Sequence, residues 1–290
     1  MQAPFRCLES VANTLTMSFE DGWAREAEIS EVAVASDESR SLVHAFFAER
    51  QTSKIPDIPA DTTRRGIEKV AILGAGTMGG GIAMAFANAG MHVTVIESSQ
   101  ENLGRGLSRI EENYDATRKR GRLSDAEMAD RISCIHGAVE MSAVAEADLV
   151  IEAVFEEMDV KKTVFAELDR LAKSGAILAT NTSTLDVDEI AAVTKRPEDV
   201  LGLHFFSPAN VMTLLEIVRA EKTSPDVIAT VLDLCKKIGK TGVVVGVCDG
   251  FVGNRMLAPY FRQADFLVEE GALPQDVDRV IEEFGFRMGP

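Results

Sequence analysis

An α/β fold built on a doubly wound, mostly parallel sheet is predicted by two observations. Short apolar runs alternate with helical patterns from Lys69 to Val247, and a glycine-rich turn joins the first run to the first helix. A third observation bounds the fold: strand-like runs stop after Val247, and Phe251 to Glu270 and Asp276 to Phe284 read as helices. That change predicts the start of an all-α C-terminal domain.

Taken in order, the segment from Met1 to about Glu49 has Phe5, Leu8, Val11, Ala12 and Leu15 at near-helical spacing and reads as amphipathic helix. Pro56, Pro59, Asp57 and Asp61 then mark Gln51 to Arg65 as an extended linker. The strand-like runs are Lys69 to Leu73, Met91 to Ile96, Asp148 to Ala153, Ala176 to Ala179, Val200 to Phe206, Leu214 to Val218 and Val243 to Val247. Helices are expected at Thr77 to Asn88, Glu101 to Arg120, Asp159 to Lys173 and Pro225 to Ile238, with Gly90 and Gly239 at C-terminal caps. The predicted organisation is therefore a helical and extended segment at 1–65, a cofactor-binding domain at 66–247, and the beginning of a helical substrate and dimerisation domain at 248–290.

Composition limits the function classes. Asp and Glu outnumber Lys and Arg 46 to 30 and give a net charge of −16, which argues against nucleic acid or anionic lipid as partner. An anionic ligand would need local help, and Arg118-Lys119-Arg120-Gly121-Arg122 is either that help or a solvated helix end. No apolar run reaches the ~18 residues of a membrane span, and the N-terminal residues do not form a signal peptide, so a cytoplasmic location is expected. Cys7, Cys134, Cys235 and Cys248 show no close pairing, which predicts reduced thiols and no metal site.

The run Val70-Ala71-Ile72-Leu73 leads into Gly74-Ala75-Gly76-Thr77-Met78-Gly79 and then an Ala-rich helix. This is the strand, turn and helix of a Rossmann-type dinucleotide site, in which the backbone closes on a pyrophosphate at a helix N-terminus. Glu97 ends the next strand, 18 residues past Gly79, where a carboxylate accepts hydrogen bonds from ribose hydroxyls. Ser98, Ser99 and Gln100 follow without an arginine to hold a 2′-phosphate, so NAD is expected rather than NADP.

Downstream, His204 closes the run Val200 to Phe206, and strand carboxyl ends are where ligands sit in such sheets. Glu216 lies 12 residues on, and a carboxylate beside an imidazole makes it a usable general base. By themselves, His204 also suits a structural role and Glu216 an exposed strand position. Ser183 begins Ser183-Thr184-Leu185-Asp186, which has the spacing of a helix capping box, and Asn254 could equally bond a helix terminus.

Together these segments resemble the L-3-hydroxyacyl-CoA dehydrogenase family, from about Ile67 to Pro290. The resemblance rests on five motifs in one order: the glycine fingerprint, Glu152-Ala153-Val154-Phe155-Glu156, Asn181-Thr182-Ser183-Thr184-Leu185, the His204 motif, and Asp249 to Arg255. It implies NAD-dependent oxidation of an L-3-hydroxyacyl-CoA to a 3-ketoacyl-CoA. His204 would be the base for the C3 hydroxyl, with Glu216 supporting it and Ser183 and Asn254 bonding the same oxygen. Ala153, Glu156, Lys161 and Asn181 would border the cofactor. Ser207 and Thr213 depart from residues common at their positions in the family, asparagine and a basic residue respectively. Phe5 to Glu9, Phe19 to Gly22 and His44 to Arg50 look like the segment that joins hydratase and dehydrogenase halves in multifunctional fatty-acid β-oxidation proteins. The chain reads as an excised middle portion with no hydratase activity, and apolar Phe261, Phe266 and Leu267 in a half-built helical domain predict self-association as a homodimer. Two alternatives stay open. One is an NAD-binding module with little turnover; the other is a β-hydroxyacid dehydrogenase, which would need a catalytic lysine that is not evident near Asn254.

Overall fold

The computed structural model describes residues 2–290, which fall into two compact units divided between Lys54 and Ile55. The first unit holds α1 (Ala3–Asn13), α2 (Phe19–Val34) and α3 (Asp37–Gln51). Ser18 and Ser36 cap α2 and α3, their hydroxyls accepting from the backbone N–H of Asp21 and Ser39. Of the residues in these helices only Ile29 is buried, while Phe5, Leu15 and Trp23 remain exposed.

In the second unit the elements run β1 (Lys69–Leu73), α4 (Thr77–Asn88), β2 (His92–Ile96), α5 (Gln100–Lys119), α6 (Asp125–Ser133), β3 (Ile135–Ala138), β4 (Leu149–Glu152) and α7 (Met158–Leu171). They continue with β5 (Ile177–Thr180), α8 (Val187–Ala191), β6 (Val200–Phe205), β7 (Leu214–Arg219), α9 (Pro225–Lys237), β8 (Thr241–Gly246), α10 (Gly253–Glu269) and α11 (Pro274–Phe284). One eight-stranded sheet results, in the order β3-β2-β1-β4-β5-β6-β7-β8.

Every neighbouring pair is parallel except β6 and β7. A parallel return needs a crossover of a dozen or more residues, and the short Phe206 to Thr213 loop allows only a reversal. That reversal sets His204 directly opposite Glu216 in the ladder.

The central strands are apolar on both faces because helices cover both. Alternate residues go to opposite layers: Val70, Ile72, Leu149 and Ile151 pack toward α4, α5 and α9, whereas Ala71, Leu73 and Val150 pack toward α7 and α8. Phe86 on one side and Phe165 on the other are fully buried, each worth about 1.5–3 kcal/mol of apolar transfer.

Two elements were not expected from sequence, α6 and β3, and the helix anticipated after Ser183 is the five-residue α8. β3 is a four-residue edge strand with a mixed, half-exposed pattern, so its periodicity carries no signal. α6 starts at a full capping box between Ser124 and Glu127. The linker also differs from a free tether, since Arg65 donates to Asp199 and Asp226, both at 2.7 Å, and its N–H to Thr230 Oγ1.

At the other end α10 and α11 bury no residue, and Phe261, Phe266 and Leu267 stay 41%, 43% and 47% exposed. Among the described residues no helix is long and apolar enough to cross a membrane, and no group of His, Cys, Asp and Glu could hold a metal ion.

Candidate active site

The glycine turn is shaped by contacts only glycine permits. A Cβ on Gly79 would lie 1.9 Å from the carbonyl oxygen of Gly74, so any side chain there pushes α4 off β1. Gly74 adopts φ 100°, and a Cβ on it would meet the Ala153 carbonyl at 2.6 Å. Gly76 is different: space around it is open, and it stands at the N-cap of α4 with no side chain closing the helix. Free N–H groups and the positive end of the helix thus face a cleft of about 600 Å³.

Gly74, Gly76, Thr77, Met78, Glu97 and Ala153 line that cleft, whereas Gly79, Glu156, Lys161 and Asn181 are not part of its lining. Glu97, at the end of β2, accepts from the Ala75 N–H at 2.9 Å and the Ser98 N–H at 3.0 Å, which fixes its carboxylate at the rim. Uncapped amides, a cradle that a Cβ would fill and a rim carboxylate fit a dinucleotide. Gly79→Ala is expected to weaken NAD binding at least about tenfold and to lower the melting temperature, by overpacking the turn. Calorimetric titration checks it; unchanged affinity would show that the close approach does not shape the site.

The second constellation forms where β6 and β7 reverse. His204 Nδ1 lies 2.7 Å from Glu216 Oε2, and both side chains are buried. The other carboxylate oxygen accepts the N–H of Val252 at 3.0 Å and of Gly253 at 2.8 Å, at the start of α10. Phe251, at φ 47°, is the one described non-glycine residue with positive φ, and this turn aims both amides at Glu216. Burial alone would raise the Glu216 carboxyl, but the His204 bond and the two amides outweigh it and hold it below its ordinary 4.5. An ionised carboxylate only accepts, so Nδ1 is the donor of this bond, and in the neutral imidazole the free lone pair then lies on Nε2. The rings of Phe206 and Phe251 lie 4.4 and 5.7 Å from the imidazole and fix its plane.

On the neighbouring strand end, Asn181 Oδ1 accepts the Phe205 N–H at 2.9 Å and ties β5 to β6 beside His204. Ser183 does not cap the next helix. Asp186 does so, accepting from the N–H of Asp188 and Glu189. Ser183 turns instead to Glu156, whose Oε1 accepts its N–H at 2.7 Å, its hydroxyl at 3.2 Å and the Thr182 hydroxyl at 2.6 Å. Burial would raise the Glu156 carboxyl, but these bonds and the Lys161 ammonium bring it below the usual range. Lys161 is fully buried and reaches Glu152 at 2.7 Å and Glu156 at 3.3 Å. Asn254 sits half-buried in the first turn of α10, next to the amides that hold Glu216.

Two members of this network had no role in the sequence reading. Glu152 ends an apolar strand and Thr182 lies between two named residues; the faint signal is a carboxylate inside a run otherwise free of charge. A second cavity, of about 400 Å³, opens on the far side of the α4 start and is lined by Thr77, Arg109, Asn113, Arg120 and Ser207. Arg120 brings the basic run to it.

Residues 69–248 match the domain described as 3-hydroxyacyl-CoA dehydrogenase, NAD binding domain, and residues 250–290 the one described as 3-hydroxyacyl-CoA dehydrogenase, C-terminal domain. The peroxisomal bifunctional enzyme of Cavia porcellus is 45% identical over 296 residues, covering 99% of this chain and 40% of that protein. The solved (S)-3-hydroxybutyryl-CoA dehydrogenase from Ralstonia eutropha superposes with a TM-score of 0.75 at 34% identity, over 78% of this chain and 80% of that one. The dehydrogenase part of multifunctional enzyme 1 from C. elegans gives 0.67 at 35% identity, over 86% and 59%. The chain spans about 40% of the length of the curated relatives it matches.

Proposed function

Because the chain belongs to the 3-hydroxyacyl-CoA dehydrogenase family, we propose that it oxidises the C3 hydroxyl of an L-3-hydroxyacyl-CoA to a ketone with NAD as acceptor. One observation carries the reading: an imidazole whose Nδ1 is locked on a buried carboxylate, leaving Nε2 as a base at the strand edge that also bears the dinucleotide cleft.

NAD, when bound against Gly74, Gly76, Thr77, Met78, Gly79 and Glu97, supplies the hydride acceptor. His204 Nε2 takes the hydroxyl proton as the C–O bond becomes a carbonyl, and the Glu216 carboxylate stabilises the imidazolium that forms. Ser183 and Asn254 hydrogen-bond the same oxygen and position C3. Ala153, which lines the cleft, completes the cofactor site together with Glu156, Lys161 and Asn181. The cavity beside Arg109, Asn113 and Arg120 suits the anionic end of an acyl-CoA, the need for which the net charge of −16 makes local basic groups necessary.

The test is NADH consumption with acetoacetyl-CoA, run beside NAD titration and light scattering. Turnover supports the reading, and a doubled mass supports a homodimer through the apolar faces of α10 and α11. NAD binding without turnover would instead favour a cofactor-binding module, a reading supported by the exposure of those helices. Failure to bind NAD would overturn both. A cytoplasmic location is proposed, in contrast to relatives described as peroxisomal and glyoxysomal. Co-localisation of the tagged full-length protein with a peroxisomal marker would overturn it.

A further inference from the structure

We infer that Glu152 is a positioning residue for this reaction: from the buried end of β4 it anchors Lys161, and through Lys161 and Glu156 it sets the place of Ser183. The inference rests on the reading above, in which Ser183 bonds the reacting oxygen.

Glu152 and Lys161 both have fully buried side chains. Removing two charges from water is expensive, and a hydrocarbon pair of equal volume would stabilise a sheet centre as well or better. The pair therefore makes sense for what it orients. Both carboxylate oxygens of Glu152 are engaged. Its Oε1 accepts the Lys161 ammonium at 2.7 Å and the Val154 N–H at 2.8 Å, and its Oε2 accepts the Thr180 hydroxyl at 2.7 Å.

The charges then decide the next link. Glu152 balances Lys161, so the ammonium is held in place without depending on Glu156, and Glu156 keeps a net negative charge for its own donors. Lys161 approaches Glu156 Oε2 at 3.3 Å, while Oε1 accepts from Thr182 and Ser183. The register places this hub between two working turns: Glu152 pairs with Leu73, just before the glycine turn, and with Thr180, just before Asn181 to Ser183. Its own carbonyl accepts the Asn181 N–H at 2.8 Å. The backbone of Glu152 thus ties the strands that carry the cofactor turn and the substrate turn, while its carboxylate reaches the substrate side through Thr180 and Lys161.

Glu152→Gln tests this. The amide keeps the volume and can still accept from Val154 and Lys161, but it has no charge, so Lys161 is drawn to Glu156 as its only carboxylate. We expect kcat to fall about tenfold with KM for the acyl-CoA essentially unchanged, the scale of coupling within one hydrogen-bond network. A crystal structure of the variant is expected to show Lys161 Nζ closer to Glu156 and Ser183 displaced. Thr180→Val, which removes one hydrogen bond at constant shape, gives a smaller fall in the same direction and serves if the first variant does not fold. A merely structural Glu152 would lower the melting temperature and leave kcat of the folded enzyme intact. Unchanged kcat in a folded variant, or Lys161 and Ser183 unmoved in its crystal structure, overturns the inference. His204→Gln is assayed in parallel: its loss of turnover beside full kcat in Glu152→Gln sinks this inference alone. Absence of turnover in the unmodified chain sinks the activity reading, and the crystallographic positions then decide the contact chain by themselves.

Discussion

His204→Gln is expected to reduce turnover by about three orders of magnitude while leaving NAD affinity unchanged, within the range that a positioned general base contributes. Glutamine is close enough in size to occupy the pocket between Phe206 and Phe251, and its amide N–H can donate to Glu216 in place of Nδ1. It therefore isolates the chemistry. The variant has no basic nitrogen to receive the hydroxyl proton, so hydride departure would have to leave a protonated carbonyl or wait for water. The glycine turn joins β1 to α4 and Glu97 follows β2, and in the sheet β4 and β5 stand between β1 and the strand of His204, so binding and turnover are expected to separate. Steady-state rates beside calorimetric NAD titration check the split. A kcat within tenfold of the unmodified chain would remove His204 from the role of base, and loss of NAD binding would mean that the substitution disturbs the sheet.

How far this site was legible from sequence depends on whether the signal is local. The glycine turn was legible because strand, tight turn and helix occupy adjacent residues and the Gly79 approach to the Gly74 carbonyl is local; the contact of Gly74 with Ala153, which follows β4, was not. The pairing of His204 with Glu216 was legible as a spacing. Its cause, an antiparallel reversal in an otherwise parallel sheet, was not, because the apolar runs of β6 and β7 carry no direction. Ser183 shows the limit of motif reading. Its capping-box spacing is real, yet Asp186 offers a better acceptor one turn later, and Ser183 is released to Glu156. The burial of Lys161, a residue named through the family resemblance, against Glu152 was illegible for a different reason. A lysine on an amphipathic helix and a glutamate at a strand end look exposed until the fold buries them against each other, and no periodicity encodes that encounter. β3 was missed because it is a short, half-exposed edge strand that depends on its neighbour for stability.

Glu216→Gln is expected to cost at least about a thousandfold in kcat, the scale seen when a carboxylate that orients a histidine becomes an amide. Both oxygens of this carboxylate accept: one from His204, the other from the amides of Val252 and Gly253. An amide has one accepting oxygen. If that oxygen faces α10, the NH2 group meets Nδ1, forces it to accept, moves the imidazole proton to Nε2 and removes the base. If it faces His204, the NH2 group meets two backbone N–H donors, and the start of α10, with Asn254 on it, loses its anchor. Either orientation damages catalysis, and both weaken the fold. Stability gives an independent readout with a definite sign. The Glu216 carboxyl is held below its ordinary 4.5 in the folded protein, so its bonds stabilise the fold above that pH and the contribution is lost as pH falls through the lowered value. Melting temperatures of the unmodified chain and the variant should therefore lie far apart near neutral pH and converge on acidification. Glu156, also lowered, titrates in both proteins and does not affect the difference. Melting curves that stay parallel across the acid range would show that Glu216 is not the charged link between the imidazole and α10.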